Sequence, residues 1–600
     1  NALPNADGRN TANDMSVKVD AWAISLDYRQ DIYNILKKVA DQTHGLTGED
    51  KLFLDETMRD YRRAGLALEP DQRDIVENLR KLLSSLTTEY NHNVMAAVGP
   101  FEFTKEEGDG LPSSFLETPG VRIADGHYRA MLNITYHAQT VLQHAKNADV
   151  RRRAYMVRNE LAKDKNVPLM THIVQLRTEI ARRLGYKDWA DYQTEVKMVK
   201  TGDAAKKFEE DLVTALQPKF DAEMEELRKL KVAETGKPDA KLDPWDVSYY
   251  QTEYEKQKFS VDAEQLRVYF PYQAVLDGMF RIYERIFSLK FAEVQPREVW
   301  ADGVRAFVVK DATTDEPMGL FYLDMFPRDG KYNHFACFPI FDGLRDPDGT
   351  VECPIAALEC NFPPPSPDRP SLLKHEDVET IFHEFGHVMH LVLSRSKFNR
   401  HTAFGVPGDF VEAPSQMLEN WAWNKKVLDT FAGDYRDPSK KVPAEIIDSL
   451  EKARLGTAGM FYRRQLSFGV LDLDLHMLTK PQVTPDIVAI TNHDLARVYV
   501  APPDDTAFIA YFSHLCDGYD AGYYGYMWSL AIAQDMASIF RASPEGFLDE
   551  KVGRRLRDEI YAAGATRDVS ESIEAFLGRK ESLDPFLVFV GAKPAATNAK

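Results

Sequence analysis

The chain is poor in cysteine, has no long uncharged apolar run and carries no excess of positive charge. Four cysteines in 600 residues are too few for a disulfide framework, which favours a reducing compartment. No segment approaches about 18 uncharged apolar residues, so we expect no membrane-spanning helix and no membrane partner. The 74 basic and 93 acidic side chains give a net charge of −19, which opposes phosphate backbones and makes nucleic acid an unfavourable partner.

The chain begins at Asn1 rather than at methionine, which indicates a processed or trimmed start. A targeting segment, if there was one, would then be missing from this sequence. Because the low cysteine count favours a reducing compartment, we expect a cytoplasmic protein. A mitochondrial location is the alternative if a targeting segment was removed.

Helical periodicity dominates the chain. Apolar residues three and four positions apart predict helices over residues 68 to 95 and 148 to 185. Residues 200 to 236 predict a charged pair of helices broken at Pro218. The sequence therefore predicts a mostly α-helical fold.

The pattern changes between about 300 and 365, where short apolar or alternating runs are separated by Gly, Asp and Pro. Such runs predict a small β-sheet. The segment 361 to 367 (NFPPPSP) ends this region and stiffens the chain before the next helix. We interpret it as a surface loop, with a domain linker as the alternative.

Residues 376 to 394 (EDVETIFHEFGHVMHLVLS) predict the helix that carries the chemistry, called the zinc helix below. Its apolar face predicts docking on a core and contains Val378, Ile381, Phe382, Phe385, Val388, Met389 and Val392. Its opposite face carries Glu376, Glu379, His383, His387 and His390. His383 and His387 stand one turn apart in an HExxH pattern, so both imidazoles can reach one zinc ion.

A zinc site with two histidines needs a third protein ligand and one position open for water. Glu412, at the start of a second predicted helix over residues 412 to 424, is the best candidate. The metzincin pattern is excluded because Leu393 stands where that class has its third histidine. His390 is either a further ligand or a group that hydrogen-bonds near the site. Glu379 orients an imidazole, contacts the substrate or is only solvated.

Glu384 lies between the two histidines and is suited to act as a general base. Zinc held by two neutral imidazoles and one carboxylate keeps a net positive charge, which lowers the pKa of a bound water towards about 7. Glu384 would take a proton from that water as it attacks a peptide carbon, and would then deliver the proton to the departing amine.

Two strings around these residues, TIFHEFGHVMH (380 to 390) and DFVEAPSQMLENWAW (409 to 423), closely resemble the thimet oligopeptidase, neurolysin and saccharolysin family of zinc peptidases. Three further segments resemble the same family: MRDYRRAGLAL (58 to 68), FPRDGKYNHFACF (326 to 338) and HLCDGYDAGYYGYMWS (514 to 529). The combination is far more specific than HExxH alone and spans about residues 55 to 580.

The resemblance implies two helical lobes that flank a deep substrate channel, with zinc on its floor and the small sheet next to the zinc helix. Residues 1 to 150 would form an amino-terminal helical region and part of one channel wall, and residues 151 to 600 the peptidase region. Family members cut short unstructured peptides because the channel walls exclude folded chains. By the same resemblance, His383, His387 and Glu412 bind one zinc ion and Glu384 is the catalytic carboxylate.

Residues 514 to 526, called the Tyr/Gly loop below, combine four tyrosines and a histidine with flexible glycines. By the resemblance, His514 and Tyr526 stabilise the tetrahedral intermediate, whereas Tyr519 and Tyr523 contact the substrate. Tyr524 is interpreted as a core residue.

Asp517 departs from the family pattern, because family members commonly carry glycine at this position. The charged side chain is expected to influence loop mobility and peptide preference but not zinc binding.

The sequence therefore predicts a zinc-dependent endopeptidase of short unstructured peptides. A carboxy-terminal dipeptidase or a mitochondrial processing peptidase of the same fold is the alternative within the enzyme class. A catalytically silent, zinc-stabilised peptide-binding protein is the alternative from another class, although the presence of Glu384 argues against it.

Overall fold

The structure is a computed structural model that describes residues 3–5, 7–8, 11–12, 15, 18–19, 22, 26–118, 120–259, 266–328, 331, 335–346 and 348–594. It is mostly α-helical with small sheets, as the sequence predicted. Part of the predicted family segment 326 to 338 lies outside the described residues. No helix of the described part is both long and apolar enough to cross a membrane.

The helices are numbered in chain order. The first eleven are α1 (Gln30–Gln42), α2 (Gly48–Ala64), α3 (Pro70–Ala96), α4 (Ser113–Leu116), α5 (Thr135–His144), α6 (Ala148–Asn159), α7 (Lys163–Arg183), α8 (Trp189–Thr194), α9 (Gly202–Thr235), α10 (Val247–Phe259) and α11 (Tyr272–Phe287). The others are α12 (His375–Leu393), α13 (Ala413–Trp423), α14 (Lys425–Leu428), α15 (Ala444–Gly456), α16 (Ala458–His476), α17 (Ile487–Val498), α18 (Gly525–Ala542), α19 (Glu550–Leu556), α20 (Val569–Leu577) and α21 (Asp584–Phe589).

The strands of the described residues form three sheets. They are β1 (Pro100–Thr104), β2 (Arg122–Ala124), β3 (His127–Met131), β4 (Leu289–Val294), β5 (Arg305–Asp311), β6 (Pro317–Asp324), β7 (Ala336–Phe341), β8 (Leu344–Arg345), β9 (Val351–Glu352) and β10 (Ile355–Glu359). The largest sheet has the strand order β4-β5-β6-β10-β7, in which β6 and β10 run parallel and the other neighbours are antiparallel. The other sheets are β1-β3-β2 and β8-β9.

The chain divides into two compact units, each built from separated stretches of sequence. Unit 1 contains residues 1–68, 262–448 and 528–586, and unit 2 contains residues 69–261, 449–527 and 587–600. The predicted division at residue 150 and the substrate channel stay predictions. The proline-rich segment 361 to 367 is a loop whose two ends lie in unit 1, so it does not link the units.

The core of unit 1 holds the zinc helix α12 against the five-stranded sheet, where it contacts β6, β7 and β10. The seven apolar residues predicted for its docking face are all fully buried. Phe385 packs its ring against Tyr283 at 5.5 Å and against Phe321 at 5.1 Å. The strand pairing and these contacts confirm the predicted small sheet and its position beside the zinc helix, although the sheet begins at Leu289 rather than near residue 300.

The predicted break at Pro218 is wrong, because α9 runs through this proline without interruption. A proline inside a helix lacks one hydrogen-bond donor and disfavours the helix. Here Leu212 and Leu216 before the proline and Phe220 after it are all buried, and α9 packs along α16. Apolar burial on both sides of Pro218 therefore keeps the helix continuous.

His401 ties the loop after the zinc helix to helix α2. Its imidazole is fully buried, with Nδ1 3.1 Å from Glu49 Oε1 and Nε2 3.2 Å from Glu56 Oε2. Glu49 also accepts hydrogen bonds from the backbone N–H groups of Lys397 and Phe398. Burial lowers the pKa of His401, but the hydrogen bonds and charges of the two carboxylates outweigh it and raise the pKa above 6.5.

We expect the interaction of His401 with Glu49 and Glu56 to weaken at alkaline pH. Because the pKa of His401 is higher in the folded chain, its stabilising contribution is complete below the unfolded value of 6.5 and is lost as the pH rises through the folded pKa. The loss of stability caused by His401→Gln should therefore be larger near pH 6 than near pH 9. Thermal unfolding at both pH values tests this, with the exposed His44→Gln as control. Equal losses at both pH values would contradict it.

Candidate active site

Gly386 allows the zinc helix and helix α13 to approach closely. A Cβ atom at this position would lie 2.9 Å from Ser415 Cα and 3.1 Å from Leu418 Cδ1, so a side chain would force the two helices apart. The start of the zinc helix is fixed by Asp377, whose carboxylate accepts the backbone N–H of Lys374 at 2.7 Å. The close crossing brings the beginning of α13 to the metal-facing side of the zinc helix.

The three predicted zinc ligands converge at this crossing. Glu412 immediately precedes α13, and its Oε2 lies 3.3 Å from His383 Nε2 and 3.2 Å from His387 Nε2. One potential ligand atom from each of the three residues lies within 4.8 Å of the others. Among the described residues, this is the group of histidine, cysteine and acidic side chains arranged to hold a metal ion. Two imidazole nitrogens and one carboxylate oxygen are one of the donor sets found in catalytic zinc sites.

Glu419 belongs to the same site, although the sequence analysis gave it no role. Its Oε1 lies 2.7 Å from His383 Nδ1, on the side of the ring opposite Glu412. Such a carboxylate orients a metal-binding imidazole and increases its basicity. Glu419 follows Glu412 by two helical turns, so the spacing of these two acids along α13 is the signal that could have identified it.

The two carboxylates strongly favour a positive charge at this site. Burial lowers the pKa of His383, but hydrogen bonds with Glu412 and Glu419 outweigh it and raise the pKa to about 10. Burial acts to raise the pKa of Glu412, but the two imidazoles hold it well below its usual range. This electrostatic environment suits a divalent cation held between the three side chains.

Glu384 projects from the zinc helix next to His383 and is half-buried. Its carboxylate makes no hydrogen bond or ion pair with the rest of the described chain. The zinc helix contacts strand β7, and burial together with the nearby charge of Glu384 raises the pKa of the Cys337 thiol on that strand. Glu384 is therefore available to exchange a proton with a bound molecule.

Glu379 and His390 lie one turn before and one turn after the two histidines. Glu379 accepts a hydrogen bond from Trp423 Nε1 at 2.7 Å. His390 is buried outside the convergent group, with its ring 5.5 Å from that of Tyr561. Burial lowers the pKa of His390 to about 3, so this imidazole is neutral. Its Nε2 has no hydrogen-bond partner among the described residues.

The four predicted residues of the Tyr/Gly loop form one aromatic cluster in unit 2, whereas the predicted zinc ligands belong to unit 1. Tyr519 and Tyr526 stack with their rings 5.1 Å apart, and Tyr523 lies 5.2 Å from Tyr526. The His514 ring lies 5.7 Å from that of Tyr519 and 5.4 Å from that of Tyr523. Burial lowers the pKa of His514, so its imidazole is neutral at pH 7 and can donate one hydrogen bond.

The two remaining residues of interest in this loop differ in exposure. Tyr524 is fully buried, in agreement with its interpretation as a core residue. Asp517 is exposed, and its Oδ1 accepts a hydrogen bond from Asn91 Nδ2 at 2.6 Å. Because Asn91 belongs to helix α3, Asp517 ties the loop to that helix within unit 2.

Comparison with known proteins places this chain among peptidases. The model of peptidase family M3 matches residues 141–591. The chain is 30% identical to a thimet-like oligopeptidase of Dictyostelium discoideum, with 98% of this chain and 90% of the relative covered. It is 32% identical to saccharolysin of Saccharomyces cerevisiae, with 97% and 84% covered. The solved structure of PZ peptidase A with inhibitor 2 has a similar fold, with a TM-score of 0.55, 14% identity and 98% and 87% of the two chains covered.

Proposed function

Because this chain belongs to peptidase family M3, we propose that it is a zinc-dependent endopeptidase that hydrolyses internal bonds of short unstructured peptides. The relatives named oligopeptidase and saccharolysin support peptide hydrolysis as the activity. The convergence of His383, His387 and Glu412 beside Glu384 is the observation that carries the proposal.

His383, His387 and Glu412 would hold one zinc ion. When bound, zinc polarises the carbonyl of the scissile bond and lowers the pKa of a coordinated water. Glu419 keeps the proton of His383 on Nδ1, so that Nε2 presents its lone pair to the ion. The donor set also accepts cobalt or manganese, with selection that depends on the metal available.

Glu384 acts as the general base. Its carboxylate removes a proton from the attacking water, and the resulting carboxylic acid delivers that proton to the departing amine. The hydrogen-bonding capacity of this carboxylate is not used by the described part of the chain, which supports such a role. Transfer by a positioned group of this kind contributes about 10² to 10⁴-fold to the rate.

The Tyr/Gly loop supplies the groups that contact the reacting peptide. By resemblance to the family, His514 and Tyr526 donate hydrogen bonds to the tetrahedral intermediate, and Tyr519 and Tyr523 contact the substrate. A neutral His514 can take this role because one of its ring nitrogens still carries an N–H donor. Glu379 is proposed to contact the substrate as well.

We propose a cytoplasmic location, with the mitochondrion as the alternative. All four cysteines are thiols rather than disulfides, which agrees with a reducing compartment.

Cleavage of a set of short and long unstructured peptides, followed by mass spectrometry with and without a chelator, tests the proposal. We expect internal cuts confined to short peptides, lost on chelation and restored by zinc. Removal of carboxy-terminal dipeptides alone would instead identify a dipeptidase. The absence of any metal-dependent cleavage would favour the peptide-binding alternative.

Loss of the hydrogen bond between Asn91 and Asp517 should change substrate preference without loss of zinc. We expect Asp517→Gly and Asn91→Ala to shift the KM of individual peptides by about fivefold, the scale of one hydrogen bond worth ~1 kcal/mol. The zinc content of both variants should equal that of the parent. KM values over the peptide set measure the effect, with the exposed Asp504→Gly as control. An unchanged specificity profile in both variants would rule out this role.

A further inference from the structure

The Tyr/Gly loop is held in place by one buried carboxylate, that of Asp472 on helix α16. Asp472 Oδ1 accepts the backbone N–H of Ala521 at 2.8 Å, and Oδ2 accepts those of Gly522 at 2.9 Å and Tyr523 at 3.0 Å. Asp472 is fully buried, so water does not compete for these bonds. Three consecutive peptide groups of the loop are therefore fixed by a single side chain.

His476, one turn further along α16, completes the set of donors around Asp472. Its Nδ1 lies 2.8 Å from Asp472 Oδ1, and its Nε2 lies 2.9 Å from a guanidinium nitrogen of Arg177. Because a guanidinium group only donates hydrogen bonds, Nε2 must accept, and the ring proton is on Nδ1 and points to Asp472. Both oxygens of Asp472 thus accept two hydrogen bonds each.

The neighbouring part of the loop is anchored by Arg177 and Asp520. Arg177 donates a hydrogen bond to the Leu515 carbonyl at 2.7 Å and lies 3.6 Å from Asp520 Oδ1. Asp520 Oδ2 accepts hydrogen bonds from Trp189 Nε1 and Gln193 Nε2, both at 2.6 Å. These residues belong to unit 2, like the loop itself.

The loop needs such anchors because its backbone has no regular ladder of hydrogen bonds to hold it. It contains Gly518 at φ +91° and Ala521 at φ +50°, the latter in a left-handed conformation that a residue with a side chain seldom adopts. Buried ionic groups are weak sources of stability but can select one conformation among several. The aromatic cluster of His514, Tyr519, Tyr523 and Tyr526 therefore depends on this conformation for its arrangement.

We propose that Asp472 is a positioning residue of the peptidase, which acts through the backbone of residues 521–523 to place the tyrosines of the Tyr/Gly loop for catalysis. This inference rests on the proposed function, since it assumes that the loop contacts the reacting peptide. An asparagine at this position would keep the size of the side chain, but its amide group would direct N–H donors at backbone N–H groups. The loop would then be displaced while the rest of unit 2 keeps its packing.

Asp472→Asn in the full-length, zinc-loaded enzyme tests the proposal. We expect kcat per zinc-loaded molecule to fall by about 10²-fold, the effect of a displacement of catalytic groups by roughly 1 Å. Zinc content should equal that of the parent, and hydrogen exchange of the backbone amides of residues 521–523 should become faster. In the parent these amides should exchange as slowly as those of helix α16, a measurement that requires no variant to fold.

Two variants serve as controls. Asp474→Asn removes a carboxylate of the same helix α16, one that pairs with Lys206 of helix α9. Glu209→Gln changes a fully buried acid in the same core whose two oxygens have no hydrogen-bond partner among the described residues. Both should retain the parental kcat and the parental exchange of residues 521–523.

The outcomes separate this inference from the proposed function. An Asp472→Asn enzyme with a lower melting temperature but an unchanged kcat per zinc-loaded molecule would reduce Asp472 to a structural residue and overturn the inference. Fast exchange of residues 521–523 in the parent would also overturn it. A parent chain without metal-dependent cleavage would overturn the proposed function itself.

Discussion

Replacement of Glu384 by glutamine should lower kcat by about 10² to 10⁴-fold while the protein keeps its zinc. Glutamine has nearly the same shape as glutamate but cannot take a proton from water at neutral pH. Glu384 is not one of the three convergent ligands, so its loss removes the base without removing the metal site. Cleavage rates of a short peptide and the zinc content of the purified variant measure the two effects separately.

The matched control is Glu376→Gln. Glu376 lies on the same helix but is exposed at its first turn, so we expect parental cleavage and zinc content. A Glu384→Gln variant that binds zinc and peptide and does not differ from its parent in cleavage would contradict the assignment of Glu384 as general base. That result would favour the zinc-stabilised peptide-binding protein.

Replacement of Glu419 by glutamine should weaken zinc binding by about 10 to 100-fold, although this side chain is not a predicted ligand. The Glu419 carboxylate accepts the Nδ1 proton of His383 at 2.7 Å and so makes Nε2 a better electron-pair donor. A neutral amide accepts this hydrogen bond more weakly and can present an N–H group instead. Competition with a chelator of known affinity measures the dissociation constant of zinc.

Cleavage at saturating zinc provides the internal check for Glu419→Gln. Because Glu384 and the three ligands are unchanged in this variant, most of the activity should return when zinc is supplied in excess. Glu376→Gln again serves as control and should retain the parental zinc affinity. An unaltered dissociation constant in Glu419→Gln would mean that the hydrogen bond to His383 does not influence the metal site.

The sequence predicted the parts of the site that depend on local spacing. Histidines one turn apart must share a face of their helix, and the apolar pattern on the other face must be buried, so the zinc helix could be assigned from residues 376 to 394 alone. Glu412 was also predicted, because a two-histidine site requires a third ligand and Glu412 stands at the start of the next predicted helix. The mostly helical fold and the sheet beside the zinc helix are also confirmed, because the local spacing of apolar residues distinguishes helices from strands.

Predictions failed where contacts between distant segments outweigh local preference. Pro218 disfavours a helix, but the buried side chains on either side of it keep α9 continuous. The two-turn spacing of Glu419 from Glu412 places both acids on one face of α13, but the contact of Glu419 with His383 is made only where α13 crosses the zinc helix at Gly386.

The sequence by itself determined the chemistry that we predict for this protein, namely two histidines and a carboxylate base at helical spacing, with a carboxylate ligand from a second helix. Only the tertiary structure decided which partners orient those groups. Glu419 meets His383, and Asp472 meets residues 521–523, through the packing of elements that are separate along the chain. The helical repeat determines which side chains lie on one face of a helix. The distance between the faces of two helices is set by the side chains that pack between them.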